Sequence, residues 1–152
     1  MIALPALAQA PGAAPAAFSW TAYDKDAPPA DVVHADETKR HPICRARLQG
    51  GLHPGRLSGD ACAITFDKTV RLIRESEVLV AKAADVAWVA ASGSKMPSGA
   101  LAGGFDSGSK LYICRAKVRA MLFPGTVVDG RCNIAFGSHE LKERPYEVLV
   151  IE

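Results

Sequence analysis

The sequence predicts an all-β protein made of two tandem copies of one unit. Three observations carry this reading. Residues 43–80 lie over residues 113–150 without a gap and agree at 15 of 38 positions. Within each copy apolar residues alternate with small or polar ones, the period of a strand with one buried face. Pro-Gly, Ser-Gly and Gly-Gly dipeptides punctuate the alternating segments, and these are chain-turning pairs. Shared composition does not produce an ungapped self-match of this length, so the repeat is read as a duplication.

In chain order, residues 1–17 come first, rich in Ala, Pro and Gly and free of charge. Ala8-Gln9-Ala10 and Ala14-Pro15-Ala16 fit the small-x-small pattern of signal cleavage, while the basic segment that should precede them is missing. The stretch reads as the tail of an export signal or as an Ala/Pro leader, and either way it lies outside the expected fold. The first unit is expected over residues 18–82 and the second over 86–152. Trp20 pairs with Trp88 and Pro29 with Pro97 at an offset of 68, and a two-residue gap then pairs Asp36 with Asp106. From there the offset is 70. Ile43-Cys44-Arg45-Ala46 recurs at 113–116, Leu52-x-Pro54-Gly55 at 122–125, Cys62-x-Ile64-x-Phe66 at 132–136 and Glu77-Val78-Leu79-Val80 at 147–150. Strands are expected where Cys62, Ile64 and Phe66 or Cys132, Ile134 and Phe136 alternate with their neighbours. Lys110 to Val118 and Tyr146 to Ile151, rich in aromatic and β-branched residues, are expected strands as well. Pro54-Gly55 and Pro124-Gly125 are expected turns. Thr69 to Ser76 has some helical character, but its counterpart holds Pro145, so no helix is expected.

Four cysteines in an apparently exported chain point to two bridges, for which three connectivities exist. Cys114 and Cys132 are symmetric about residue 123, beside the expected Pro124-Gly125 turn, and Cys44 and Cys62 are symmetric about residue 53. A turn there would set each pair face to face on adjacent strands, at a Cα separation a disulfide tolerates. Bridges Cys44–Cys62 and Cys114–Cys132 are therefore expected, with buried thiols as the alternative. The short C-x2–4-C spacing of a zinc site is missing.

With 49% hydrophobic and 22% charged residues the chain can bury a core, and a net charge of +2 without Lys/Arg clusters gives no nucleic-acid footprint. No apolar run approaches the roughly 20 residues of a membrane helix. His34, His41, His53 and His139 form no metal-binding spacing, and His53, opposite Phe123 in the alignment, reads as structural. No nucleophile elbow, phosphate loop or dinucleotide fingerprint occurs. Asp24/Asp26 and Glu75/Glu77 read as solvated faces, so no catalysis, metal or cofactor is expected.

The second unit contains, in order, Trp88, Pro97-Ser98-Gly99-Ala100, Gly103-Gly104-x-Asp106, Leu111-Tyr112-Ile113-Cys114-Arg115-Ala116, Pro124-Gly125, Cys132-x-Ile134-x-Phe136-Gly137, Glu140 and Tyr146-Glu147-Val148-Leu149. With these segments it resembles the DM9 repeat, a β-rich module found in tandem in DM9-domain lectins and natterin-like proteins. The first unit is degenerate, with Val33-His34 where the Gly pair belongs, Pro42 for Tyr112 and Ser76 for Tyr146. The resemblance implies a pseudo-twofold pair of antiparallel units that binds glycans, mannose-type sugars in the lectin members. It implies sugar contact at the acidic loop position, here Asp106 and Asp36, and at a Lys after Pro-Gly, here Arg56 and Thr126. Glu140 is a further candidate, which anchors the last turn or pairs with Arg45 or Arg115. These arginines read as structural ion pairs or stacking groups, and Trp20 and Trp88 as core seals or a sugar-stacking platform. A secreted or periplasmic lectin-like module is the expected function, with an envelope interaction module as the alternative and a homodimer as an option.

Overall fold

The computed structural model describes residues 17–93 and 95–152. The expected leader, apart from Ala17, lies outside the described residues. Thirteen strands follow: β1 Ser19–Ala22, β2 Ile43–Leu48, β3 Gly51–Ser58, β4 Ala61–Phe66, β5 Thr69–Ile73, β6 Ser76–Val80, β7 Val86–Ala91, β8 Ala102–Asp106, β9 Ser109–Val118, β10 Met121–Val128, β11 Arg131–Phe136, β12 His139–Glu143 and β13 Tyr146–Ile151. The chain is all-β and barrel-like, and every strand pairing is antiparallel. The strands run β1-β6-β2-β3-β4-β5 in one half and β12-β11-β10-β9-β13-β7 in the other, with β8 set between β3 and β9. A single pair, Thr69 with His139, joins β5 to β12. These two residues occupy one position of the repeat, so the halves meet about a pseudo-twofold axis.

The segment 69–76, with its trace of helical pattern, is strand β5 and the start of β6. The expected strands at 61–66, 110–118, 131–136 and 146–151 are β4, β9, β11 and β13. Their burial differs from the expected one-sided pattern. Cys132, Asn133, Ile134 and Ala135 are all buried, because β3 and β4 pack against β10 and β11 of the other half. Alternation that reads as inside and outside is here core on one face and partner half on the other.

Pro54-Gly55 and Pro124-Gly125 are not turns. They lie inside β3 and β10, and the hairpins turn at Gln49-Gly50 and Arg119-Ala120, both residues of each pair having positive φ. The glycines serve close approach instead. A Cβ on Gly55 would sit on the Ala63 carbonyl, and one on Gly125 on the Asn133 carbonyl. At this point β3 passes from pairing with β2 to pairing with β4, Arg56 facing both Ile43 and Ala63.

The disulfides have the expected partners for a different reason. Cys44–Cys62 links β2 to β4, and Cys114–Cys132 links β9 to β11, strands two places apart. In a flat sheet such strands are roughly 9.5 Å apart. The Cα separations are 5.9 and 5.8 Å, so each sheet folds over at its glycine and the bridge fastens the fold.

The core has three parts. Cys44, Leu57, Cys62, Ile64 and Val78 fill the first half, and Cys114, Phe123, Cys132, Ile134, Tyr146 and Val148 the second. Between them Val33, Ile43, Leu79, Leu101, Ile113 and Leu149 come from both halves, with Trp20 and Trp88 packed against them. Arg45 Nε donates to Glu77 at 2.8 Å and Arg115 Nε to Glu147 at 2.7 Å. Each guanidinium also lies over a tryptophan, Trp20 at 4.2 Å and Trp88 at 4.6 Å. The arginines are thus structural pairs, and the tryptophans seal the core with one face covered by guanidinium. Nη1 of Arg45 reaches Gly103 O at 3.2 Å, and that of Arg115 reaches Ala35 O at 2.7 Å.

Those last bonds correct the register of the degenerate loop. Ala35 stands where Gly103 stands, and Val33, donating to Leu79 O, stands where Leu101 donates to Leu149 O. Val33-His34 therefore does not replace the Gly pair. The two-residue gap falls after Ala35, which deprives the first half of a counterpart to Gly104-Phe105. In the second half those residues lengthen β8 enough for Phe105 to pair with Leu52.

Candidate functional site

Three of the five expected contact residues, Asp106, Thr126 and Glu140, line one cavity of about 200 Å³ together with His53, Thr65, Phe66, Asp67, Leu111, Val128 and Asn133. Both halves build it. β3 brings His53, the β4–β5 end brings Thr65 to Asp67, β8 brings Asp106, β10 Thr126, β11 Asn133 and β12 Glu140. The volume is below the roughly 300–1,000 Å³ of clefts for drug-sized ligands, so the cavity suits one ring or one terminal group.

Its polar groups are held by strand backbones and by one another. Thr126 is buried and its hydroxyl donates to Pro54 O at 3.0 Å. The Asn133 amide donates to Glu140 Oε2 at 3.3 Å, so Glu140 is partnered by Asn133 and not by an arginine. Ser107 Oγ donates to Asp106 Oδ1 at 3.3 Å. His53 is buried in β3, edge-on to Phe66 at 5.5 Å. Burial is the main cause holding its pKa below the ordinary imidazole value, against the raising effects of Asp106 and a hydrogen bond to the Leu48 backbone. His53 Nε2 and Asn133 Oδ1 are buried and have no hydrogen-bond partner in the protein. Gly51 packs closely here: a Cβ there would stand 2.7 Å from His53 Nε2, 3.0 Å from Phe105 O and 3.3 Å from Asp106 Oδ1, so the position has no room for a side chain.

The other two expected residues lie elsewhere. Arg56, the repeat-mate of Thr126, is half-buried and donates to Ala135 O through Nε at 3.2 Å and Nη2 at 2.9 Å. It stands 5.7 Å from the Phe123 ring, on which His41 stacks at 4.1 Å. Phe123, Phe136, His41 and Arg56 thus fill the pseudo-symmetric counterpart of the cavity. Asp36 accepts from the Thr38 hydroxyl at 2.5 Å and the Thr38 amide at 3.0 Å, a local turn. The hydroxyl bond is the first cause holding its carboxyl below the usual range. Asp36 faces a wider groove of about 810 Å³ with Trp88, Arg115 and His34.

Sequence reasoning missed His53, read as structural, and Asn133, read as the solvent side of a strand. A signal existed. Their repeat-mates are Phe123 and Ala63, so each position is polar in one copy and apolar in the other. Among the described residues no group of three His, Cys, Asp or Glu converges on a metal position, and no helix is long and apolar enough to cross a membrane.

The fold is that of a disulfide-fastened all-β module in which two like halves share one core. The chain belongs to the DM9 repeat family, whose family model matches residues 36–143. The matched span begins at Asp36 in the first half and ends at Glu143 in the second. No curated protein matches the sequence. DM9 domains are lectin-like, carbohydrate-binding modules, a family of binding modules.

Proposed function

We propose that this protein is an exported, non-catalytic carbohydrate-binding module whose working site is the cavity of Asp106, Thr126, Asn133, Glu140 and His53. The observation that carries the reading is the meeting, in one small cavity, of two family contact positions, Asp106 and Thr126, and the further candidate Glu140 with two buried polar atoms that the protein leaves unpaired. Sugars present closely spaced hydroxyls, and carboxylates fixed on strand ends bind them through charge-assisted hydrogen bonds. Leu111, Phe66 and Val128 supply the apolar wall that a ring face needs.

The units 18–82 and 86–152 act on this reading as one binder with one site, because the counterpart cavity is occupied by Arg56 and His41. Thr126 stands where the mannose-binding resemblance calls for a cation, so the reading stops at a glycan's terminal sugar. Two disulfides fit an oxidising compartment, which supports secretion or a periplasmic location.

A glycan array followed by titration tests this on the full chain with both bridges intact. Asp106→Ala and Glu140→Ala should each weaken binding by roughly tenfold or more, the worth of a hydrogen bond to a charged group. Arg56→Ala should lower stability and leave affinity nearly unchanged. Folded wild-type protein that binds no glycan at millimolar concentration would end the reading.

A further inference from the structure

The cavity is a place of acceptors. Asp106 and Glu140 are carboxylates, and Asp67 adds a third at the rim. His53 is 6% exposed and Asn133 5%, and the unpartnered atom of each, Nε2 and Oδ1, is an acceptor. Burial disfavours the charged imidazole, and a neutral ring keeps one nitrogen free to accept a hydrogen bond. Among the wall's donors, the Thr126 hydroxyl is committed to Pro54 O and one N–H of the Asn133 amide to Glu140, while beside the wall the Ser107 hydroxyl is held by Asp106. Thr65 adds a hydroxyl able to serve either way. No Lys or Arg is among the described residues lining the cavity.

A neutral sugar can donate its hydroxyls to these carboxylates but brings no charge to offset theirs. Each of its hydroxyls brings an acceptor along with its donor, and it leaves the carboxylates uncompensated as water is displaced. An ammonium group brings three donors, no acceptor and a positive charge. The wall holding Asp106, Glu140 and Asp67 carries no cation of its own, so such a head group would offset its charge.

We propose that the cavity takes a cationic amino sugar, a pyranose with a free primary amine, at the end of a glycan. This rests on the sugar-binding reading above and names its substrate class. The ammonium sits between Asp106, His53 and Glu140, and ring hydroxyls reach Thr65 and Asn133.

The test is calorimetric titration of the full chain at pH 7 with five probes. These are methyl glucosaminide, methyl glucoside, methyl mannoside, methyl N-acetylglucosaminide and Nα-acetyl-lysine amide. The glucosaminide should bind roughly tenfold or more tightly than the glucoside and the N-acetylated sugar, as a charge-assisted bond replaces neutral ones. Asp106→Asn and Glu140→Gln, checked for native circular dichroism, should each remove most of that preference, and Glu75→Gln on an exposed turn should not. If mannoside or glucoside binds as well as the glucosaminide, the amino-sugar proposal falls while sugar binding stands. If no sugar binds, both fall. A lysine derivative that binds as tightly as the glucosaminide also overturns the proposal, because the site would then read ammonium without a ring.

Discussion

Histidine burial gives the molecule a stability that depends on pH. His34, His41 and His53 are all held below the ordinary imidazole value of 6.5, with burial the first cause for each. The fold accepts the neutral ring and resists the charged one. Below about pH 6.5 the unfolded chain therefore takes up protons that the folded chain refuses, and stability falls as pH descends from 6.5 through the lower folded values. Asp36 has the carboxylate sign: its contribution is complete above its unfolded value of 3.8 and is lost only as pH falls through its lower folded value. The histidine window opens at the higher pH. The melting temperature should thus be level from pH 7 to 8 and drop between pH 6.5 and 5, and His53→Phe, which installs its repeat-mate's side chain, should make the drop shallower. A curve that stays level down to pH 5 would refute the assignment. The same position of the repeat can also hold opposite tasks. Arg56 closes one cavity by bonding Ala135 O, and Thr126, shorter and neutral, leaves the other open.

Among the elements, β3 and β10 set the shape. Each begins beside one neighbour and ends beside another, and the change is possible because Gly55 and Gly125 let a carbonyl of the next strand occupy the space of a side chain. Gly55→Ala or Gly125→Ala should destabilise by about 2–3 kcal/mol, the cost of forcing atoms into a packed interior, read as a lower urea midpoint with unchanged slope. An alanine tolerated at both sites would mean that the strands do not cross there. These strands also show how far the sequence could be read. Alternation at Cys62-Ile64-Phe66 and Cys132-Ile134-Phe136 located β4 and β11, since period two needs only local information. Pro-Gly misled because its usual meaning is a turn, whereas here glycine answers a contact with a strand several residues away in sequence. The cysteine pairs emerged from spacing even so, because a sheet folded at Gly55 brings together the same residues as a hairpin would. His53 and Asn133 went unread for a related reason: the face they occupy is buried by the other half, and a single strand's pattern cannot tell solvent from a symmetry mate.

At the scale of the molecule the halves depend on each other. Four side chains bond backbone across the divide: Arg45 to Gly103 O, Arg115 to Ala35 O, Arg56 to Ala135 O and Thr126 to Pro54 O. Residues from both halves also make up the central core cluster, in which Ile43, Leu79, Ile113 and Leu149 are fully buried. A half on its own would expose two of these four aliphatic side chains, at about 1.5–3 kcal/mol for each one denied burial. Even one half's share is a large part of the 5–15 kcal/mol that holds a typical domain together. A disulfide, which for an 18-residue loop contributes about 3 kcal/mol, does not offset that loss. Residues 86–152 expressed alone, with Cys114–Cys132 formed, should therefore show no cooperative melting and weak near-ultraviolet dichroism, while the full chain unfolds in one transition. Mixing the oxidised segments 18–82 and 86–152 should restore the native spectrum in proportion to complex formed. A second segment that melts sharply by itself would show instead that each repeat is a domain in its own right, and a cavity built from both halves would then have to assemble after folding.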